Sequence, residues 1–383
     1  NQNSILLGWG ADEYQTVHKA SRNSIGVLPA DYAYNLSVLT NFNQEISQKT
    51  HNNTINTIDS THTVCFVMSD GDNIQWLLNW FFTDNRWFGS ENRGQIDIGW
   101  TISPALSELA PTVMNKIYNS AENNSLGKDY FIAGPSGLSY IYPEAHKDLE
   151  DYTDLLNDYM IKSDLNIVNI IGNSDDDFYL YSFLEKPSIN AIFYYDFSNY
   201  SKLSGKIKFV NNKPVISARY NLWGGFESTK SLANKLNNLP KNPYSEHGYS
   251  LIPVHNWSNS VDSILHCAEL LGPNIRVVSP DKFINLINQN ITTDVNNSVL
   301  YRNYPNPTKD DIRIELRVNS NDIKSLKLFS ETGKTHTISN FNIIPKNLNL
   351  TEINLNIEKL NSGSYFLIIE TKEHQQVIKV IKI

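Results

Sequence analysis

The stretch Val64-Cys65-Phe66-Val67-Met68-Ser69-Asp70-Gly71-Asp72-Asn73 runs through five apolar residues and then breaks into a polar turn. An uninterrupted apolar run of this length suits a strand buried on both faces, as strands are in a parallel sheet. Similar runs occur at 5–9, 25–29, 96–102, 130–133, 167–171, 191–195, 215–218, 249–254 and 275–278, each ending in polar, Gly- or Asp-bearing turns. Amphipathic stretches at 111–121, 146–163, 228–239 and 260–271 separate several of them, and Pro111 suits a first helical turn. Strand–helix alternation predicts a parallel sheet with crossover helices, closed as a (β/α) barrel; a doubly wound open sheet is the alternative. The first two strands belong either to the barrel or to an upstream domain.

The pattern changes near residue 290. Residues 291–300 are polar and Asn-rich, a linker composition, and they separate a domain at 1–290 from one at 301–383. In the second domain the period becomes two, with Ile312, Ile314 and Leu316 alternating with charged residues and a turn at Gly333. This predicts a small all-β, immunoglobulin-like sandwich.

Bulk properties narrow the function classes. The 383 residues are 40% hydrophobic and 19% charged with a formal net charge of -8, a globular profile without the basic stripe nucleic acid requires. The one cationic stretch, 202–213, is short and diluted by Asn, so no nucleic-acid partner is expected. No run approaches the roughly 18 apolar residues of a membrane helix, so no transmembrane segment is expected. Asn1-Gln2-Asn3 is polar, so the start reads as a trimmed or mature terminus without a signal peptide. Cys65 and Cys267 read as buried small hydrophobes; neither has metal-site or redox spacing. Acyl-hydrolase elbow, phosphate-loop, dinucleotide and zinc-helix motifs are missing, so no cofactor and no metal are expected.

Barrel enzymes carry their reactive groups where strands end. After 64–68 come Asp70 and Asp72, two carboxylates flanking a glycine, which can project into one pocket as acid and base or bind a hard cation. Alternatively one caps a helix from Asn73 onward and the other only satisfies backbone donors. After 130–133 comes Gly134-Pro135-Ser136-Gly137-Leu138-Ser139-Tyr140-Ile141-Tyr142-Pro143-Glu144, a shaped loop that presents Tyr140, Tyr142 and Glu144, unless Glu144 only begins the next helix. Other strand-end candidates are Trp9 with Asp12 and Glu13, Asp31 with Asn35, Asp196, Arg219 with Trp223, and His255-Asn256-Trp257.

Two resemblances rest on these residues. Gly137-Leu138-Ser139-Tyr140-Ile141-Tyr142-Pro143 resembles the signature of the GxGYxYP glycoside hydrolase family, with Ser139 at the second glycine, which suggests a locally different loop. The 66–73 turn, Leu7-Gly8-Trp9 with Asp12-Glu13, and Pro29-Ala30-Asp31 with Asn35 extend the likeness over about residues 5–288. It implies a carbohydrate-active hydrolase; the family's additional N-terminal region is absent or cut here. Tyr304-Pro305-Asn306-Pro307, the Gly333 hairpin, residues 360–365 and the Lys-bearing last strand resemble the C-terminal sorting domain of the type IX secretion system of Bacteroidetes. That implies export through the type IX machinery to the cell surface or beyond.

The expected function is hydrolysis of glycosidic bonds. Asp70 or Asp72 is paired with Glu144 as catalytic residues, and Glu13 and Asp31 stand in reserve. Arg219, His255 and Asn256, with Asn35 and Asn73, would bind hydroxyls, and Trp9, Tyr140, Tyr142, Trp223 and Trp257 would stack on sugar rings. The rival readings are a non-catalytic glycan-binding protein on a barrel scaffold, which fold alone does not exclude, and a metal-dependent deacetylase or hydrolase using Asp70 and Asp72.

Overall fold

The computed structural model describes residues 4–48, 55–291, 301–338, 341–347, 350–372 and 375–383. The backbone divides into two compact units, 1–293 and 294–383. Most of the expected linker, residues 292–300, lies outside the described residues.

The first unit contains β1 (Ser4–Leu7), β2 (Ile25–Leu28), β3 (His62–Met68), β4 (Ile98–Ile102), β5 (Asp129–Ala133), β6 (Ile167–Gly172), β7 (Ala191–Asp196), β8 (Ile207–Val210), β9 (Lys213–Ser217), β10 (Tyr249–Val254) and β11 (Ile275–Val277). Ten of these eleven correspond to the apolar runs; β8 is the addition. The main sheet runs β10-β3-β4-β5-β6-β7-β9-β8, with β11 also on β3. Every pairing in it is parallel except β8 with β9. All seven residues of β3 and all six of β6 and β7 are buried, which is why these strands read as unbroken apolar runs.

The sheet curls. Just past β9 the chain meets β10 through single bridges, Ala218 with Leu251 and Leu222 with Val254. The result is a curled half-barrel in keeping with the barrel-like fold expected, and it departs from a regular (β/α) barrel in three respects. β8 is antiparallel, β11 and β4 share β3, and β1 and β2 form a separate two-stranded sheet. That small sheet touches the rest where Val27 bridges Tyr140. Inside the curl, Cys65, Val67, Ile132, Ile171, Phe193, Tyr195, Ile216 and Leu251 belong to one buried cluster. Cys65 and Cys267 are both buried and free.

The helices Pro111–Asn119, Leu149–Lys162, Thr229–Asn237 and Val261–Glu269 fall within the expected amphipathic stretches. Glu13–Ser21, Ile74–Asn79, Asp177–Leu184 and Pro280–Asn290 are further helices. Among the described residues no helix is long and apolar enough to cross a membrane.

The second unit contains β12 (Tyr301–Tyr304), β13 (Asp311–Leu316), β14 (Ile323–Ser330), β15 (Thr335–His336), β16 (Phe341–Asn347), β17 (Leu350–Asn356), β18 (Gly363–Thr371) and β19 (Gln375–Lys382). They form two antiparallel four-stranded sheets, β12-β13-β17-β16 and β15-β14-β18-β19. Ile312, Ile314 and Ile353 of one meet Leu328, Leu367 and Ile378 of the other in a shared core. This is an all-β unit of two facing antiparallel sheets around one core. Its first and last strands are clasped together. Asn303 and Asn306 each donate from Nδ2 to the Lys379 carbonyl at 2.9 and 2.8 Å, and Asn306 Oδ1 accepts from the Ile381 amide at 2.8 Å. Thr308 exchanges backbone hydrogen bonds with Ile381 and Ile383, both 2.9 Å.

Candidate active site

At the ends of β3 and β10 the chain opens a cavity of about 290 Å³. Trp9, Glu13, Asp70, Asp72, Asn73, Tyr140, Trp223, His255 and Trp257 line it, together with Ser69, Gln75, Asn169 and Tyr200. Nine of the expected site residues therefore come together from five separate places in the sequence.

The Asp70–Asp72 turn is built by close backbone approach. A Cβ at Gly71 would lie 2.0 Å from the Thr101 carbonyl group, so only glycine fits. The Gly71 amide donates to Thr101 Oγ1 at 2.8 Å, and the Thr101 hydroxyl donates onward to the Met68 carbonyl at 2.8 Å. Asp70 itself sits in the left-handed region at φ 68°. Both its oxygens accept hydrogen bonds: the Ser69 hydroxyl donates to Oδ2, and the Trp257 indole donates to Oδ1 at 3.1 Å. Trp257 is aimed by the rings beneath it, edge-on to Trp76 at 5.9 Å and Trp87 at 5.6 Å.

Asp72 differs from its neighbour. Its side chain is buried, and loss of hydration, reinforced by the charges of Asp70 and Glu13, pushes its carboxyl well above the usual carboxylate range. Glu13, in the first turn of its helix, accepts from the Tyr140 hydroxyl at 3.0 Å. Glu13 as a residue is exposed, but its carboxyl end faces the cavity lining. Desolvation there raises its pKa against the lowering effect of the Tyr140 hydrogen bond, and Asp70 and Asp12 raise it further.

The aromatic walls are fixed. Trp9 stacks on Tyr140 with centroids 6.4 Å apart, and Trp223 lies flat on His255 at 3.8 Å and 6°. The His255 ring shares a hydrogen bond between Nδ1 and Ser258 Oγ at 2.8 Å, and burial lowers its pKa against the pull of Asp70. Tyr200 stands edge-on to Trp223 at 5.4 Å. Asn73 has two tasks: it lines the cavity, and its Oδ1 accepts from the Trp76 amide at 3.0 Å as the cap of the helix Ile74–Asn79.

Other expected site residues are placed elsewhere. Glu144 is not part of the lining: in the short 3-10 turn Pro143–Ala145, its Oε1 accepts from the amide and Nδ2 of Asn173 at 3.0 and 2.9 Å. Arg219 spends its donors on the carbonyls of Tyr249, Gly205 and Glu246 at 2.9, 3.2 and 2.9 Å, bracing loops instead of facing the cavity. Asn256 is buried and braces the Ser69 turn, donating to the Ser69 carbonyl at 2.7 Å. Tyr142 is buried outside the lining, and Asp31 accepts from the Trp9 amide at 3.3 Å. Asn35, exposed and left-handed at φ 64°, starts the four-residue helix Leu36–Leu39. Tyr200, Gln75 and Asn169 are lining residues that the strand-end reading missed. Tyr200, four residues past β7, was within its reach.

The signature loop at 137–143 forms one wall of the site through Tyr140. The Tyr152 hydroxyl secures it, accepting from the Ser139 amide at 3.0 Å and donating to the Ser139 carbonyl at 2.7 Å. Ser139, at the second glycine position, turns its hydroxyl towards Gly26, where any Cβ would come within 1.8 Å of it, so position 26 is restricted to glycine.

Residues 60–288 match the model of the "GxGYxYP putative glycoside hydrolase C-terminal domain", more than half of the chain. The chain belongs to the GxGYxYP family. Residues 1–41 match the GxGYxYP third domain, which places β1 and β2 in a region preceding the curled sheet. Residues 302–383 match a secretion system C-terminal sorting domain. That module marks this GxGYxYP protein for the type IX route and hence as secreted or held at the cell surface. Among solved structures the chain is similar to a putative hydrolase from Bacteroides thetaiotaomicron, with a TM-score of 0.70 and 35% identity over 76% of this chain. It spans 58% of that protein's chain. A search of the curated proteins found no match. Among the described residues of this GxGYxYP chain, no group of three or more His, Cys, Asp or Glu side chains is placed to hold a metal ion.

Proposed function

We propose that this chain is a secreted glycoside hydrolase whose catalytic carboxyl groups are Asp72 as general acid and Asp70 as base or nucleophile. The observation that carries this reading is the contrast between two carboxyl groups on one turn. Asp72 is buried, with its carboxyl pushed above the usual carboxylate range by loss of hydration, whereas Asp70 is partly open to the cavity with both oxygens accepting hydrogen bonds. Glycosidases divide their chemistry between a carboxylic acid that protonates the leaving oxygen and a carboxylate that activates water or attacks the sugar. Glu13, also raised, is the third carboxyl group on the cavity and the reserve acid. Trp9, Tyr140, Trp223 and Trp257 supply ring faces for a sugar.

The test is a hydrolysis screen over a broad glycan panel. Asp72→Asn and Asp70→Asn are each expected to lower turnover about 100- to 10,000-fold. Glu144→Gln, which keeps an oxygen for Asn173, is expected to stay within a few-fold of wild type. Equal turnover by wild type, Asp70→Asn and Asp72→Asn would overturn the assignment. Binding without cleavage would favour a glycan-binding protein, and loss of cleavage with a chelator would favour a metal-dependent hydrolase.

A further inference from the structure

We infer that the sugar unit held in this cavity is uncharged or carries an amino group, and that units bearing carboxylate or sulfate are rejected; this rests on the glycoside reading of the same site. The lining carries three acidic side chains, Glu13, Asp70 and Asp72, and among the described residues no lysine or arginine lines the cavity. A site made for uronic or sulfated sugars needs a cation to receive the anion, most effectively the planar fork of an arginine. The cations that the sequence places near the site are committed elsewhere. Arg219 points its donors at three backbone carbonyls. Lys202, two residues from the lining Tyr200, is paired with Asp196 at 2.9 Å. Lys206 and Lys208 reach Asp175 at 3.1 and 3.2 Å.

The remaining walls reinforce the same preference. Trp9, Trp223 and Tyr200 present ring surface to the cavity. Such surface attracts an ammonium group and accepts the apolar face of a neutral pyranose, but has no affinity for an anion. A ligand carboxylate held about 5 Å from the Asp70 carboxylate at a partly exposed site loses roughly 100-fold in affinity. Asp70 cannot swing away to relieve the repulsion, because Ser69 and Trp257 hold both its oxygens.

The experiment measures binding of the full chain to immobilised glycans in matched sets, in which each neutral sugar is represented also by its amino and uronic counterparts at the same linkage. The expected result is binding of neutral or amino members with uronic members at least 30-fold weaker. Glu13→Gln and Asp70→Asn, singly and together, should narrow that gap about 10-fold or more without improving neutral binding. Uronic members that bind as well as their neutral counterparts would overturn the inference while leaving the glycoside reading in place. If no set shows binding and none is cleaved, the glycoside reading fails and this inference falls with it.

Discussion

Asp70 and Asp72 stand two positions apart and experience different solvents. The turn that carries them is tight enough to require Gly71 at its centre, and it leaves one carboxyl open to the cavity while burying the other. That both reach the same cavity was legible from their place after an apolar run. Which of them is buried was not, because burial depends on loops far away in sequence. Glu144 shows the reverse: it also follows a strand and a shaped loop, yet the turn Pro143–Ala145 delivers it to Asn173. Arg219 and Asn256 were misread for a related reason. A polar side chain at a strand end can serve backbone carbonyls as readily as a ligand, and the sequence does not list its partners. Ser139 gives a residue-scale test. Gly26→Ala places a methyl group against its hydroxyl, so the expected cost is about 1–3 kcal/mol. Adding Ser139→Gly is expected to recover most of that loss, measured as the urea midpoint of the single and double variants.

At the scale of elements, the buried strands were the easiest to read, since burial on both faces removes polar residues from the sequence. β8 was the strand not anticipated. Only one of its four residues is buried, and Lys208 interrupts its apolar character. A signal was nevertheless present: Asn211-Asn212 links β8 to β9 with both residues left-handed, φ 52° and 58°, the conformation of a primed hairpin turn. Asn212→Ala is expected to destabilise the chain by roughly 1–2 kcal/mol, while Asn212→Gly is not, because only the alanine pays for a left-handed backbone. Thermal unfolding of the two variants beside wild type checks this. The helix Glu13–Ser21 was harder to anticipate, because it buries only Val17 and Ser21 and so displays little apolar period.

At the scale of the whole molecule, the parallel, curled sheet was legible from alternating strands and helices, but its half-barrel form was not, because that alternation specifies parallel pairing and not how far the sheet closes. The division near residue 290 was legible as a change of period from continuous apolar runs to strict alternation. Stability of the first unit carries a pH signature. His62 and His146 are buried with their pKa values lowered to about 4, chiefly by loss of hydration. The unfolded chain therefore binds protons that the folded one refuses. Their contribution is fully present above pH ~6.5 and drains away as pH falls towards 4, with a limit of ~3 kcal/mol for each. His146→Leu is expected to flatten the loss of melting temperature between pH 6.5 and 4; an unchanged slope would show that His146 is not refused its proton.

The clasp between the two ends of the second unit bears on how an export signal of this kind can be read. Its asparagines at 303 and 306 grip the carbonyl of Lys379, and Thr308 is laced to Ile381 and Ile383. The recognisable motif and the final strand are thus two halves of one shape, more than seventy residues apart along the chain. A receptor that reads that shape reads it only after the intervening strands have folded, so the address doubles as a certificate of completed folding. Grafting the last dozen residues onto a foreign cargo would transfer the letters without the seal.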